Sequence, residues 1–410
     1  MELKTKYQYT YFIYPYVIKN NKYIKYIMKL LKNKNVNLKI FQKDKDWDIY
    51  QYFLPKVRDY MFSSFGFSKA KIKTLEQMSI DTKAAVLAKY PCTMFEYNIK
   101  DDIQGKAGYK DGIFFKIQKI DLICFNTGIC FLCMKTNIEE TEEFANILNF
   151  NYKFRDINQE YNNLNNYDNI RVQTDTFTNM QEITNFIKEI TGPNIDASKL
   201  DLETERFLTY SYACIDQEAW NNTTDFNNIK DNFIKYAKIL PNDNSVDYSK
   251  ENMKIVSEWK YAKLGITKTG VCLFSSTFDM NNYTILPQQY EMQYLYTYLF
   301  ILYKKIYLKK ISLDFSSTSD MIKVKKEFVD FTKKIWIQEV TEDDIGTAIY
   351  HSIKEVLEID ELYYKSKNKY DILYKELNVE KNSKINKVIL LLLAVSLLFN
   401  IGNFIALILS

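Results

Sequence analysis

The chain has 410 residues, 55 Lys or Arg against 51 Asp or Glu, a formal net charge of +4, and 47% hydrophobic residues. That apolar share supplies a packed core and excludes wholesale disorder, while the length exceeds one ordinary core. A single histidine, His351, leaves little raw material for zinc sites or histidine catalysis.

In chain order, Tyr7 to Ile18 alternates and is rich in Tyr, Phe, Ile and Val, so it reads as a strand whose central placement Pro15 limits. Residues 21–33 place Tyr23, Ile27, Leu30 and Leu31 on one helical face among lysines, and Val36 to Phe41 reads as a short strand. An aromatic helical stretch from Trp47 to Phe65 is interrupted by Pro55. Residues 89–99, 113–125 and 128–135 read as strands, the last two joined by the turn Asn126-Thr127-Gly128. An acidic helix follows from Ile138 to Leu148, then an Asn-rich stretch, 158–169, that marks a lobe boundary.

The second lobe reads as a strand over 170–174, a helix over 179–190, a strand over 207–215 and a helix over 225–239. A hairpin of 259–266 with 271–278 closes it. The run 127–132 resembles 269–274 in chemistry and turn position, which is either a duplication or chance among hairpins that need a Gly turn. From Pro287 onward, apart from a break at 313–319, helical patterning persists. Thr341 is the expected N-cap of a last helix, with Glu342, Asp343 and Asp344 in its first turn. Ile349, Ile353, Val356, Tyr363, Tyr370, Tyr374 and Leu377 then form an imperfect heptad seam, a stalk packed partly on neighbours.

Charge is uneven along this order. Residues 1–75 hold sixteen basic against five acidic side chains, and residues 139–250 hold twenty acidic against ten basic. A basic ligand- or membrane-facing lobe beside an acidic one is one reading; two lobes that neutralise each other is the other. Cys92, Cys124, Cys130, Cys133, Cys214 and Cys272 sit inside apolar runs, as buried thiols do in a reducing compartment. Cys130 and Cys133 have C-x-x-C spacing, but on a strand they point to opposite faces and do not converge on a metal.

No Walker loop, G-x-G-x-x-G, nucleophile elbow or H-E-x-x-H is present, so no catalytic set and no cofactor are expected. The nearest phosphate cradle is the loop 104–112, where Gly105, Lys106, Gly108 and Lys110 suit a nucleotide or oligonucleotide; a plain linker between strands is the alternative.

The last stretch, Val388 to Leu409, carries no charge over 22 residues, a length of roughly 33 Å as a helix. Lys381, Lys384 and Lys387 precede it. The expectation is a single-pass anchor in the cell membrane, with the bulk of the chain cytoplasmic and the C-terminus outside. Ser396, Asn400 and Asn403, at i, i+4 and i+7, form a polar stripe that argues for self-association into a homo-oligomer, with the stripe lining either an axis or the oligomer contact.

This order of parts resembles the CorA family of divalent-cation channels. That family carries Gly-Met-Asn near the end of its first span; the comparable place here reads Ile401-Gly402-Asn403-Phe404, without the methionine and without a second span, and Gly402 and Asn403 are the positions carried over. The resemblance implies an oligomeric channel in the lipid bilayer that passes ions and is gated by cytosolic lobes. CorA-like proteins lacking the full motif also resemble effectors of bacterial anti-phage defence, whose lobes sense nucleotides. The fold expected is therefore α+β, with mixed sheets and flanking helices. It comprises a basic lobe 1–157, an acidic lobe 158–284, a helical layer and stalk 285–386, and a transmembrane helix 387–410. The alternative function is a tail-anchored ligand sensor or scaffold that conducts nothing.

Overall fold

The first strand organises the fold because its alternation is apolar on both sides. Tyr9, Tyr11 and Ile13 point one way, Phe12 and Tyr16 the other, and all five are fully buried. The computed structural model describes residues 2–98, 103–107, 113–138, 143–156, 170–171, 180–191, 200, 206–243, 253–317 and 321–409. In order these form β1 (Thr5–Val17), α1 (Tyr23–Lys32), β2 (Val36–Lys39), α2 (Trp47–Tyr52), α3 (Pro55–Met61), α4 (Lys69–Gln77), α5 (Ile80–Leu87) and β3 (Cys92–Tyr97). Then come β4 (Ile103–Ala107), β5 (Ile113–Phe125), β6 (Ile129–Ile138), α6 (Phe144–Phe154), β7 (Ile170–Arg171), α7 (Met180–Thr191), β8 (Leu208–Ile215) and α8 (Phe226–Lys238). The remainder is β9 (Lys254–Trp259), β10 (Ala262–Ile266), β11 (Gly270–Ser276), α9 (Asn281–Thr284), α10 (Leu286–Gln289), a π-helical turn (Tyr290–Tyr294), α11 (Leu295–Ser317), α12 (Met321–Lys334), α13 (Asp344–Val356) and α14 (Ile359–Leu409).

All the strands join one mixed sheet in the order β2-β3-β5-β6-β1-β8-β11-β10-β9, with β4 on β5 and β7 on β4. Among the described residues only β8 and β11 run parallel; the other pairs are antiparallel. Pro15 is tolerated in this central strand for a local reason. The β8 ladder stops at Ile13, opposite Leu208, while the β6 ladder continues to Val17, so Pro15 sits where one side of β1 is already free.

One face of the sheet carries Phe12, Leu122, Cys130, Leu132 and Phe274 against α1, α6 and α8. There Phe12 meets Phe154 with ring centroids 4.5 Å apart, and Phe144 meets Phe274 at 5.2 Å. α1 buries Tyr23, Ile27 and Leu30 of the expected face and Tyr26 besides, leaves Leu31 half-buried, and turns its lysines outward. The opposite face carries Tyr9, Tyr11, Tyr210 and Tyr212 against the segment Leu286–Tyr303. Tyrosine suits this layer because its ring fills the core while its hydroxyl finds a backbone acceptor. Tyr9 donates to the Pro287 carbonyl at 2.8 Å, Tyr210 to the Tyr290 carbonyl at 2.7 Å, and Tyr212 to the Asn282 carbonyl.

The chain divides into two compact units, residues 1–307 with 337–360, and residues 308–336 with 361–410. The first holds the sheet. The expected boundary at 157/158 falls inside it, because β1 of the first half pairs directly with β8 of the second. In the second unit Phe328 packs on Phe315, Tyr363 and Tyr370, and Trp336 stacks on Tyr363 with centroids 3.9 Å apart. At the start of α14 the predicted aromatic seam is thus covered by α12 through Tyr363 and Tyr370, while Tyr374 is exposed.

Several expectations need correction. No helix among the described residues is long and apolar enough to cross a membrane, against the expected transmembrane helix at 387–410. The apolar run whose side chains are described is Val388–Leu397, which reaches about 15 Å at 1.5 Å per residue, half a hydrocarbon core. The seam from Ile349 to Leu377 does not lie on one helix: Glu358 takes a left-handed φ of 56° and separates α13 from α14. Asp343, not Thr341, caps α13, accepting from the Gly346 amide at 2.6 Å, while Thr341 Oγ1 accepts from the Asp343 amide at 3.1 Å. The acidic helix begins only at Phe144, since β6 runs to Ile138, and the expected break at 313–319 is occupied to Ser317 by α11. The Asn-rich stretch 158–169 lies outside the described residues. The two similar runs each open the second strand of an antiparallel hairpin, β5–β6 and β10–β11; on the other edge β6 is antiparallel to β1 whereas β11 is parallel to β8.

Candidate functional site

Beneath the start of α11 a stripe of charge crosses the tyrosine face of the sheet. Lys135 pairs with Glu291 at 2.6 Å, and Tyr11 donates to the same carboxylate at 2.6 Å. Asp121 faces Lys119 at 3.1 Å and Lys39 at 3.6 Å, and Lys39 also donates to Tyr296 at 3.2 Å. Burial raises the Glu291 carboxyl, but Lys135 and the Tyr11 hydroxyl outweigh it and hold the group below its ordinary range. Burial works against the Lys119 ammonium, and Asp121 more than compensates, so its pKa is raised. Each carboxylate is matched by lysine here, and the stripe pins helix to sheet. Its chemistry is spent internally.

A different region has unspent groups. The break at Pro55 between α2 and α3, the π-helical turn and the N-terminus of α13 meet around an open cleft of about 590 Å³. Pro55 occupies the first turn of α3, where its missing N–H costs nothing. The Leu54 amide donates to the Val340 carbonyl at 2.9 Å, which ties the two walls together. Gly346 is required at this junction because a Cβ there would collide with the Tyr52 hydroxyl. The floor is formed by Tyr52 and Tyr294, rings at 6.0 Å in edge contact.

The polar lining falls into two groups. Arg58 is held: Nη1 donates to the Tyr50 carbonyl at 2.8 Å, and the guanidinium lies 3.9 Å above the Tyr50 ring. Asp343 is held by its cap. The side chains of Gln51, Gln289, Gln293, Asp48 and Glu342 also line the cleft and make no hydrogen bond or ion pair among the described residues. Gln289 and Gln293 are half-buried and four residues apart on consecutive turns, so both amides look the same way.

The residues singled out from sequence lie elsewhere. Ile103–Ala107 is a strand, so Gly105 and Lys106 stand opposite Phe115 and Phe114 in the β4–β5 ladder rather than in a loop; Gly108 and Lys110 lie outside the described residues. Ser396, Asn400, Gly402 and Asn403 all fall in α14, with Ser396 exposed and the surroundings of the other three outside what is described. Cys130 lies opposite Cys124 on the helix-covered face and Cys133 opposite Asp121 on the tyrosine face, so the two thiols do not converge. Among the described residues no group of three or more His, Cys, Asp or Glu is placed to hold a metal ion. The cleft was missed because its walls are more than two hundred residues apart in sequence; the one local signal was the break at Pro55.

No family model, no curated relative and no solved structure matches the chain.

Proposed function

We propose that this protein is a self-assembling scaffold, in which the C-terminal half of α14 joins copies of the chain and the sheet-bearing unit is carried as a binding module. The observation that carries the reading is the state of Val388–Leu397: every large apolar side chain in it, Leu390, Leu391 and Leu392 among them, is about half exposed or more in the single chain. A helix apolar on all sides is stable only when something covers it. The polar spacing of Ser396, Asn400 and Asn403 favours a second copy as that cover, since amides in an apolar helix bundle bond best to each other.

Sedimentation of the full chain without detergent or lipid tests it, beside Leu390→Glu with Leu393→Glu. Both positions are exposed in the single chain, so the variant retains its fold by circular dichroism. The expected result is an oligomer for the parent and a monomer for the variant. A monomeric parent overturns the reading; in a separate flotation run with phospholipid vesicles added, a parent that floats as a monomer overturns it too.

A further inference from the structure

The geometry points to the cleft between the Pro55 break and the N-terminus of α13 as a binding site for a small organic cation rich in N–H donors, of the guanidinium or polyamine class. Its volume, about 590 Å³, is that of a metabolite-sized pocket. Half-buried amides are normally bonded within the protein. Here Gln289 and Gln293, half-buried on one wall, leave their side-chain amides without a partner among the described residues, and the exposed Gln51 faces the same space from the other wall.

Charge selects the ligand. Asp48 and Glu342 are uncommitted carboxylates at the rim, and the one cation of the lining, Arg58, is turned to Tyr50. A phosphate-bearing ligand would meet repulsion from the carboxylates without a free arginine to offset it. A guanidinium or ammonium meets carboxylates and amides above a floor of tyrosine rings, a lining suited to a cation. Desolvation argues in the same direction. Asp48, Glu342 and Gln51 stand at the exposed rim and Gln289 and Gln293 deeper, so a cation slides inward from charged to neutral acceptors without burying an unpaired carboxylate.

Calorimetric titration of the full chain with agmatine and with spermidine tests this, with ATP and magnesium chloride as separate titrants. At least one of the two amines is expected to bind with saturable heat, and ATP to give none at the cleft. Asp48→Asn with Glu342→Gln, both exposed positions, is expected to weaken binding by about tenfold or more. Gln289→Met with Gln293→Met, checked for an unchanged melting temperature, is expected to weaken it while leaving the carboxylates in place. The proposal is overturned if neither amine binds, if both double variants bind as the parent does, or if ATP binds and is lost in the cleft variants.

Discussion

Tyr210 lies flat against Tyr290, ring centroids 4.1 Å apart and planes 14° from parallel, while its hydroxyl donates to the Tyr290 carbonyl at 2.7 Å. The two contacts are separable by mutation. Tyr210→Phe keeps the stack and removes one buried bond, at an expected cost of about 0.5–1.5 kcal/mol. Tyr290→Ala removes the stack and leaves a cavity, at an expected cost of about 3–5 kcal/mol. Urea unfolding midpoints measure both. Equal losses in the two variants would mean that the hydroxyl, not the ring, holds the π-helical turn on the sheet.

Among the described residues Lys304 is the most deeply buried cation of the sheet unit. Its Nζ donates to the Ile337 carbonyl at 2.7 Å and to the Tyr350 hydroxyl at 2.8 Å. Burial first, then the neighbouring Lys354, drives its pKa well below the ordinary 10.5, with Asp360 opposing. The unfolded chain therefore binds the proton more tightly than the folded one. Stability from this group rises with pH between the depressed folded value and about 10.5. Lys304→Met is expected to flatten that rise, read as urea midpoints from neutral pH to pH 10. A parallel slope in parent and variant would dispose of the assignment.

Glu358 pays a backbone cost at the junction of α13 and α14, with φ at 56°. Its ion pair with Lys268 is at 2.6 Å, but both side chains are more than half exposed, so the pair contributes little. Glu358→Gly is accordingly expected to stabilise the protein by up to about 1 kcal/mol, since glycine adopts this conformation without strain. A lower melting temperature for the glycine variant would contradict this.

At the cleft, Gly346→Ala is expected to destabilise by about 1–3 kcal/mol through the collision with Tyr52. Tyr52→Phe in the same chain removes the hydroxyl and is expected to restore part of the loss, so the double-mutant cycle shows coupling. Strict additivity would place the strain elsewhere.

All six cysteines are free and buried. Burial pushes the Cys214 thiol up to about 12, with the Ser275 hydroxyl opposing, and raises Cys92, Cys130, Cys133 and Cys272 as well. The native protein is expected to resist a disulfide reagent at neutral pH and to release six thiols in denaturant. Fast labelling of even one thiol in the native state would show an opening that the packing does not predict.

Local chemistry made some of this legible in advance. Asn126-Thr127-Gly128 announces its hairpin because glycine takes the φ of 86° found at Gly128 without strain, and Pro55 announces the end of α2 because its ring cannot continue a helix. β9 escaped notice because Lys254, Ser257 and Glu258 give it a polar look, which is what an edge strand requires. The break at Glu358 carries no Gly or Pro to betray it. The parallel pairing of β8 with β11, and the convergence of Gln51 with Gln289 and Gln293, are long-range outcomes with no local signature.

The central position of β1 has a consequence for how the chain reaches its native state. Thr5 finds its partner Ile215 only after roughly 200 further residues exist, so the first strand to leave the ribosome is among the last to be paired on both edges. Such non-local closure slows folding and leaves a tyrosine-rich strand waiting with open edges. Early arrest of synthesis, before β8 has emerged, is therefore the point at which this chain is most exposed to aggregation and most dependent on chaperones.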